Sequence, residues 1–323
     1  MKTQNVETKD AVLGFEAAFE NIGKGTHLQS SLHLPEQKLC FPAKLPSLRE
    51  IVQRISAIPL RAIAGAGIRD KAKLFLVASI ESNPISRKAF PNTQNLYNLT
   101  IRVGISKFRV KDKVSVGVLD SSYEAANMKK LSLKRGDVFI DVGAHVGKYT
   151  VEAAREVGDE GRVISVEPFP SNIAMLKENI GLNRLKNVEI VNMAAWNCSE
   201  QLRLFVGDSS AVGGIYNNFN LNSILVKAEK MDRIVGDAKL GRVDWVKIDV
   251  EGAEYQVLQG IEETLERFKP RLLVEVWQRN KSKVEKLLSE HNYVMNRVSE
   301  ECEFRNGSYA DYLCTPMNQC CVY

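Results

Sequence analysis

Short apolar runs alternate with helical patterns through the last two thirds of the chain, and this alternation most limits how the chain can fold. The runs are rich in Val, Ile and Leu and too short for typical helices. Strands that are apolar on both faces form a parallel sheet covered by helices, so we expect an α/β domain. The runs are DVFIDVG (137–143), RVISVEP (162–168), NVEIVNMAAW (187–196), RVDWVKIDVEG (242–252) and RLLVEVW (271–277).

The segments around these runs have other patterns. Residues 1–94 show helical spacing near 10–22, after Ser47 and from Asp70, and predict a helical N-terminal extension. From 95 to 130, the stretches LYNLTIRVG, SKFRV and VSVGVL predict two or three antiparallel strands, and a helix ending near Lys130 follows. YVMNRV and SYADYLC predict antiparallel edge strands. We therefore expect a main domain over 95–323.

Composition and charge exclude some classes of protein. With 44% hydrophobic and 26% charged residues, the chain is a folded protein rather than a disordered one. No apolar run approaches the roughly 18 residues of a membrane-spanning helix, and the start lacks a secretory signal, so we expect a cytoplasmic location. Residues 1–130 hold 20 Lys and Arg against 11 Asp and Glu, a charge of +9, which leaves −4 for the remainder. Ordinary solvation explains this best, although contact of the N-terminal helices with a membrane surface stays open.

The six cysteines form no CxxC pair, which favours free thiols over a zinc site. The last four residues, CCVY, are a poor match to a lipidation signal because they end in Tyr323.

Ligands of open α/β sheets bind beyond the carboxyl ends of the strands, so the residues there are the candidates for function. The first run leads into a loop with Gly143 and Gly147, which lets a ligand approach the backbone. The loop matches neither a phosphate-binding GK[ST] pattern nor GxGxxG. Glu167 ends the second run, where a carboxylate can accept the hydroxyls of a ribose. That placement suits nicotinamide and adenosyl cofactors equally.

The fourth run ends in an unusual concentration of acids, Asp249, Glu251 and Glu254. Glu254 is expected in the first turn of a helix, where the helix dipole favours an acid. Asp249 at a central strand tip needs a cation, a metal or a hydrogen-bond donor to offset its desolvation. Glu275 ends the fifth run in a comparable place.

The stretches GDVFIDVGAHVGKYT and VDWVKIDVEGAEYQVLQG resemble the FkbM family of class I S-adenosylmethionine-dependent methyltransferases. The likeness spans about residues 96–315. It implies a seven-stranded, mostly parallel Rossmann-like sheet and methyl transfer to a hydroxyl or carboxyl oxygen of a sugar, lipid or small molecule. It also implies that Asp141, Gly143, His145 and Gly147 form the cofactor loop, that Glu167 binds ribose and that Ala194 belongs to the adenine wall. Gly207–Lys230 falls where the family shapes its acceptor pocket.

Methyl transfer to a hydroxyl requires removal of its proton by a base or a metal. Asp249 is the first candidate, and Glu251, Glu275 and His145 are the others. Asp249 and Glu275 together are candidate ligands for Mg²⁺, although no further oxygen ligands are evident. For His145, a structural role as donor to the neighbouring strand end is the preferred interpretation.

Three alternatives stay open. A nicotinamide-dependent oxidoreductase is consistent with Glu167 but not with the missing third glycine. An RNA methyltransferase would use the basic N-terminal part, but no nucleic-acid module is recognisable, so a nucleic-acid partner is not expected. A non-catalytic scaffold on the same fold is the third, because a fold does not establish an activity.

Overall fold

The computed structural model describes residues 98–119, 124–206, 213–214, 222–304 and 307–317, together with Asp70, which is helical. The other residues of the predicted N-terminal extension lie outside this part of the chain, as do most of the segment after Gly207 and the cysteines at positions 40, 320 and 321. Among the described cysteines, Cys198, Cys302 and Cys314 form no disulfide.

A mostly parallel sheet forms the centre of the fold. Its order is β5-β4-β3-β10-β11-β14-β12, and all pairs are parallel except those that β14 makes with its neighbours. All five predicted apolar runs contribute a strand to it. The strands are β3 Val138–Val142, β4 Arg162–Val166, β5 Val188–Val191, β10 Trp245–Ile248, β11 Arg271–Trp277, β12 Tyr293–Arg297 and β14 Gly307–Pro316.

The sheet has eight strands rather than the seven expected. The eighth, β13 (Cys302–Phe304), pairs with the first residues of β14, from Cys302 opposite Tyr309 to Phe304 opposite Gly307. β14 is ten residues long and pairs with β12 only from Tyr312 onward. Its first residues therefore have an edge with which β13 pairs. A segment of three residues, one of them charged, is too short to show the alternation that predicts a strand.

Helices cover both faces of the sheet, and alternate residues of each strand enter different cores. Ile140 and Val246 pack in a core with residues of α5 to α8, whereas Phe139 and Trp245 pack against α3. This two-sided burial explains why most residues of these strands are apolar. The helices are α3 Lys148–Val157, α4 Pro170–Leu182, α5 Met231–Asp237, α6 Glu254–Gln259, α7 Glu262–Phe268 and α8 Lys281–Glu290, preceded by α1 Lys113–Val118 and α2 Ala125–Lys130.

The run 187–196, expected as one strand, is two strands in different sheets. The chain leaves the main sheet after Val191, where the N–H of Met193 donates to the Val191 carbonyl oxygen at 3.1 Å. β6 (Ala194–Trp196) then joins a second sheet of order β6-β9-β7-β8. The other strands of that sheet were not predicted. They are β7 Glu200–Val206, β8 Gly213–Gly214 and β9 Ser223–Lys230.

The segment in front of β3 begins with the expected antiparallel pair, β1 (Leu99–Val103) and β2 (Ser106–Val110). The third candidate strand, VSVGVL, is wrong because most of it forms helix α1. Asp112 caps that helix, its carboxylate accepting the Ser115 N–H at 2.7 Å, while the Ser115 hydroxyl oxygen accepts the Asp112 N–H at 3.2 Å. This reciprocal cap satisfies backbone donors that a strand would have paired elsewhere. Helix α2 ends at Lys130 as predicted.

Within the described residues, no helix has both the length and the apolar character needed to cross a bilayer.

Candidate functional site

The carboxyl ends of β3, β4, β10 and β11 are neighbours at the centre of the sheet, which brings the predicted site residues together. The loop after β3 is joined to the strands on both sides. The N–H of Gly143 donates to the Val166 carbonyl oxygen at 2.9 Å, and the N–H of Asp249 donates to the Val142 carbonyl oxygen at 3.0 Å. The glycine loop and the acidic segment after β10 are therefore parts of one structure.

The two glycines of the loop are required for different reasons. Gly143 has φ +80°, and a Cβ atom placed there would lie 1.8 Å from the Asp249 carbonyl oxygen. Gly147 has φ +88°, precedes α3, and would place a Cβ atom 2.5 Å from Leu176 Cδ1 of α4. Both backbone conformations strongly favour glycine. The loop is thus held by close contact with protein on two sides.

Asp141, the last but one residue of β3, is buried, and only one of its two carboxyl oxygens accepts a hydrogen bond from the described residues. Its Oδ2 accepts the Thr150 hydroxyl at 2.6 Å, and that hydroxyl lies 2.8 Å from the Ser165 hydroxyl. Its Oδ1 is buried with no hydrogen-bond partner among the described residues. Burial raises the pKa of Asp141, against the opposing effect of the Lys247 ammonium. A buried, unpaired acceptor beside the loop is a feature that a bound donor or cation would satisfy.

Glu167 accepts three hydrogen bonds from the protein itself. Oε2 takes the N–H of His145 at 2.9 Å, and Oε1 takes the N–H of Phe169 at 2.9 Å and the Nδ2 of Asn172 at 3.2 Å. Burial nevertheless raises the pKa of Glu167 to about 7. A carboxylate has about four acceptor positions, so capacity for one further donor is left.

His145 has left-handed backbone at φ 51° and takes part in the loop through its N–H, which donates to Glu167 at the neighbouring strand end. Burial lowers the pKa of its imidazole to about 4, so the ring is neutral at pH 7. Its Nε2 is buried with no partner among the described residues.

Three carboxyl groups stand level on neighbouring strands. Glu275 of β11 is opposite Asp311 of β14, and Asp249 follows directly on Ile248, which is paired with the residue before Glu275. Burial raises the pKa of Glu275 well above its usual value, and repulsion by Asp249 adds to this. Burial also raises the pKa of Asp311. Asp311 could not be predicted from the sequence because its alignment with Glu275 depends on strand register.

A buried lysine lies in β10, two residues before Asp249. Lys247 of β10 is level with Asp141 of β3, and its Nζ is 3.0 Å from Asp249 Oδ2 and 4.6 Å from the centre of the Tyr149 ring. Burial opposes its charge, but the carboxylates of Asp249 and Asp141 raise its pKa, so it stays an ammonium ion. Lys247 was not among the residues predicted for the site, although a lysine two residues before Asp249 in a mostly apolar strand is a usable signal.

Glu124 and Glu251 add two more acids to this region. Glu124, just before α2, lies 3.9 Å from the Lys148 ammonium, and burial raises its pKa to about 7. Glu251 has left-handed backbone at φ 54°, and burial followed by repulsion from Asp249 raises its pKa to about 8. Near neutral pH, Glu251 therefore carries a proton in most molecules, whereas Asp249 is the acid paired with a lysine.

Two predicted residues, Ala194 and Glu254, have contacts of other kinds. Ala194 begins β6 and packs in a small cluster with Leu202 and Ala228. Glu254 begins α6, as expected, and its Oε1 accepts the N–H of Trp277 at 2.8 Å. Among the described residues, no three His, Cys, Asp or Glu side chains are placed to bind a metal ion. The pairing of Asp249 with Glu275 around Mg²⁺ thus gains no third protein ligand there.

A family model described as the methyltransferase FkbM domain matches residues 141–305, which are 165 of the 323 residues. The match begins at Asp141 and includes the glycine loop, Glu167, Lys247, Asp249, Glu251 and Glu275, while Asp311 lies beyond its end. The chain belongs to the FkbM methyltransferase family. The class I methyltransferase fold expected from the sequence is confirmed, with eight strands instead of seven in the main sheet.

Curated relatives of this FkbM methyltransferase match only part of its length. A probable cobalt-precorrin-6B C(15)-methyltransferase of Sulfolobus acidocaldarius is 33% identical over 27% of this chain and 45% of its own length. Methyltransferase sdnD of Sordaria araneosa is 23% identical over 56% of this chain and 81% of its own length. The chain thus spans less than half of the first relative. The solved FkbM methyltransferase of Methylobacillus flagellatus KT is 16% identical, with a TM-score of 0.43 over 82% of this chain and 60% of its own.

Proposed function

We propose that the protein is an S-adenosylmethionine-dependent methyltransferase that methylates a hydroxyl oxygen of a sugar, lipid or other small molecule. The observation that carries this proposal is the ion pair between Lys247 and Asp249. The backbone carbonyl oxygen of the same Asp249 packs against Gly143 of the loop after β3. The family match supports methyl transfer over the oxidoreductase alternative.

The residues around the glycine loop fit an adenosyl cofactor. Asp141 Oδ1 is a buried acceptor without a partner in the described part of the chain, and Glu167 has capacity for one ribose hydroxyl. We therefore assign cofactor binding to Asp141, Glu167 and the loop between Gly143 and Gly147, and we keep Ala194 as a proposed part of the adenine wall. When bound, S-adenosylmethionine supplies an electrophilic methyl group on a positively charged sulfur.

Asp249 is the proposed base. The Lys247 ammonium holds Oδ2, while a quarter of the side chain stays exposed, which leaves the carboxylate able to accept a proton from an acceptor hydroxyl. Burial raises the pKa values of Glu275 and Glu251, that of Glu251 to about 8, so the protonated carboxyl group of Glu251 is suited to donate a hydrogen bond to an acceptor oxygen. Environments that separate the pKa values of neighbouring acids are typical of acid and base assignments in active sites.

The same charges favour a hydroxyl over a carboxyl acceptor. A carboxylate acceptor is already ionised near neutral pH and needs no base, and it would approach the carboxylate of Asp249 against electrostatic repulsion. A hydroxyl is neutral, can donate to these oxygens and must lose a proton during the reaction. The arrangement therefore matches a neutral acceptor that carries hydroxyl groups.

Two experiments test this proposal. Calorimetric titration with S-adenosylmethionine should show micromolar binding that weakens at least about tenfold in Glu167→Ala. Glu189→Ala, which removes an exposed carboxylate from the next strand, is the control and should bind normally. Absence of binding by folded wild-type protein would refute the proposal.

The second experiment follows transfer of a radiolabelled methyl group to a panel of hydroxylated sugars and lipids, with matched carboxylic acids alongside. Asp249→Asn should keep cofactor affinity and lose at least about a hundredfold in rate, as expected for loss of a general base. Preferential methylation of the carboxylic acids, or full activity of the variant, would contradict the assignment of acceptor and base.

A further inference from the structure

The hairpin β1–β2 lies in front of the family match and shares a core with the glycine loop. Ile101 and Phe108 of the hairpin are fully buried in a cluster that also contains Val146 of the loop and Met175 of α4. One side of the loop is thus packed against a segment outside the family match.

Asn179 of α4 joins the hairpin to the loop by hydrogen bonds. Its Oδ1 accepts the N–H of Arg109 in β2 at 2.6 Å, and its Nδ2 donates to the Val146 carbonyl oxygen at 2.8 Å. The side chain is completely buried. A single amide therefore fixes the spacing between a hairpin strand and the residue that precedes Gly147.

Helix α4 also contacts the site at two other places. Asn172, near its beginning, donates to Glu167, and Leu176 occupies the space next to Gly147. Val146 stands between His145, whose N–H donates to Glu167, and the first turn of α3. Any displacement of the Val146 carbonyl would move both neighbours, so its hydrogen bond restrains the whole loop.

We propose that Asn179 is a positioning residue for cofactor binding and that the hairpin serves as a brace for the glycine loop. The inference rests on the proposed function because it assigns that loop to S-adenosylmethionine. A loop held in its binding conformation before the ligand arrives binds more tightly, since less conformational freedom is lost.

Asn183 supplies a matched control one helical turn later. Its Nδ2 donates to the Lys107 carbonyl oxygen at 2.6 Å, and its Oδ1 accepts the N–H of Lys107 at 2.9 Å. It therefore anchors the same hairpin strand to the end of the same helix, and its Oδ1 also accepts a hydrogen bond from Arg155 of α3 at 2.8 Å. Among the described residues, no hydrogen bond joins its side chain to the loop 143–147. A role in general stability is common to both asparagines, whereas a role in the loop belongs to Asn179.

The test compares Asn179→Ala and Asn183→Ala by calorimetric titration of the full chain with S-adenosylmethionine. Asn179→Ala should raise the dissociation constant about tenfold, the effect of one lost buried hydrogen bond, and Asn183→Ala should change it less than about twofold. Equal effects of the two variants, or no effect of Asn179→Ala, would overturn the proposal.

Hydrogen exchange of the ligand-free protein gives a readout that is independent of the cofactor. The backbone amides of residues 143–147 should exchange faster in Asn179→Ala than in wild-type protein. In Asn183→Ala their exchange rates should equal those of wild type. This separates the two proposals: wild-type protein that binds no S-adenosylmethionine refutes the function, while unchanged exchange in Asn179→Ala refutes the brace.

If Asn179→Ala does not fold, Phe108→Leu decides the matter. This variant loosens the hairpin side of the shared cluster without touching a hydrogen bond of the loop. It should also accelerate exchange at residues 143–147, and loop protection equal to that of wild type would contradict the brace.

Discussion

At the scale of single residues, the site depends on one buried cation among several acids. Lys247 is 5% exposed, and Asp249, Asp141 and Glu124 all act on its charge. Removing one member of a buried ion pair leaves the other without compensation and costs far more than the pair itself contributes. Lys247 is therefore as important to the fold as to the proposed base.

A double-mutant cycle on this pair gives the first prediction. Lys247→Met should lower the free energy of unfolding by about 3 kcal/mol, because it leaves Asp249 and Asp141 without their cation. Lys247→Met combined with Asp249→Asn should recover part of that loss, since fewer uncompensated charges are buried. Urea denaturation of the four proteins measures the coupling. Additive effects would show that the two side chains do not interact in solution.

The second prediction concerns Gly143 and uses Gly136 as its control. Both have positive φ, +80° and +83°, but a Cβ atom at Gly136 meets nothing within 4 Å, whereas one at Gly143 meets the Asp249 backbone. Gly136→Ala should cost only the conformational strain, about 1 kcal/mol. Gly143→Ala should cost several times more, because backbone cannot move aside as a side chain can. Similar thermal stabilities of the two variants would contradict the close contact.

At the scale of secondary-structure elements, helix α1 shows how a local cap overrides an alternating pattern, and it carries the third prediction. Asp112→Ala removes the acceptor for the Ser115 N–H and should destabilise the protein by about 1 kcal/mol. Asp112→Asn keeps a good cap and should stay within a few tenths of a kcal/mol of wild type. Chemical denaturation distinguishes the two. A loss of the same size in both variants would indicate that charge, rather than capping, matters.

The elements that the sequence predicted correctly are those with strong burial on both faces. The strands from β3 to β11 in the main sheet are mostly apolar because each contributes to two cores. VSVGVL was misassigned because alternation of small residues fits a short helix as well as a strand, and the Asp112 cap decided between them. The break after Val191 depends on a turn and on pairing with β9, far along the chain.

The candidate site was predictable only in part, for a similar reason. Asp141, Glu167, Asp249 and Glu275 lie at or near the carboxyl ends of strands, and parallel strands necessarily bring these ends together. The contributions of Asp311 and Glu124 come from the register of an antiparallel strand and from a segment in front of β3. Neither contribution can be predicted from the spacing of residues along the sequence.

At the scale of the whole molecule, the buried acids make stability depend on pH. Burial raises the pKa values of Glu124 and Glu167 to about 7 and that of Glu251 to about 8, all from an ordinary value of 4.5. The folded state therefore binds more protons than the unfolded state between pH 4.5 and about 8. By linkage, stability falls as pH rises through this range. Burial lowers the pKa of His145 to about 4 from 6.5, which acts in the opposite direction but only below about pH 6.5.

The clearest window for the fourth prediction is thus pH 6.5 to 8.5, where His145 no longer contributes and the raised acids are losing their protons. The ligand-free protein should melt several degrees lower at pH 8.5 than at pH 6.5, since about 1 kcal/mol corresponds to ~2 to 4 °C in a domain of this size. Glu251→Gln removes the group whose pKa lies within the window and should reduce this difference, whereas Glu189→Gln, an exposed control, should not. Thermal scans at fixed ionic strength provide the measurement. A melting temperature that rises over this window would mean that the acids around Asp249 are already ionised and hydrated in solution, which would remove Glu251 as a neutral hydrogen-bond donor to the acceptor.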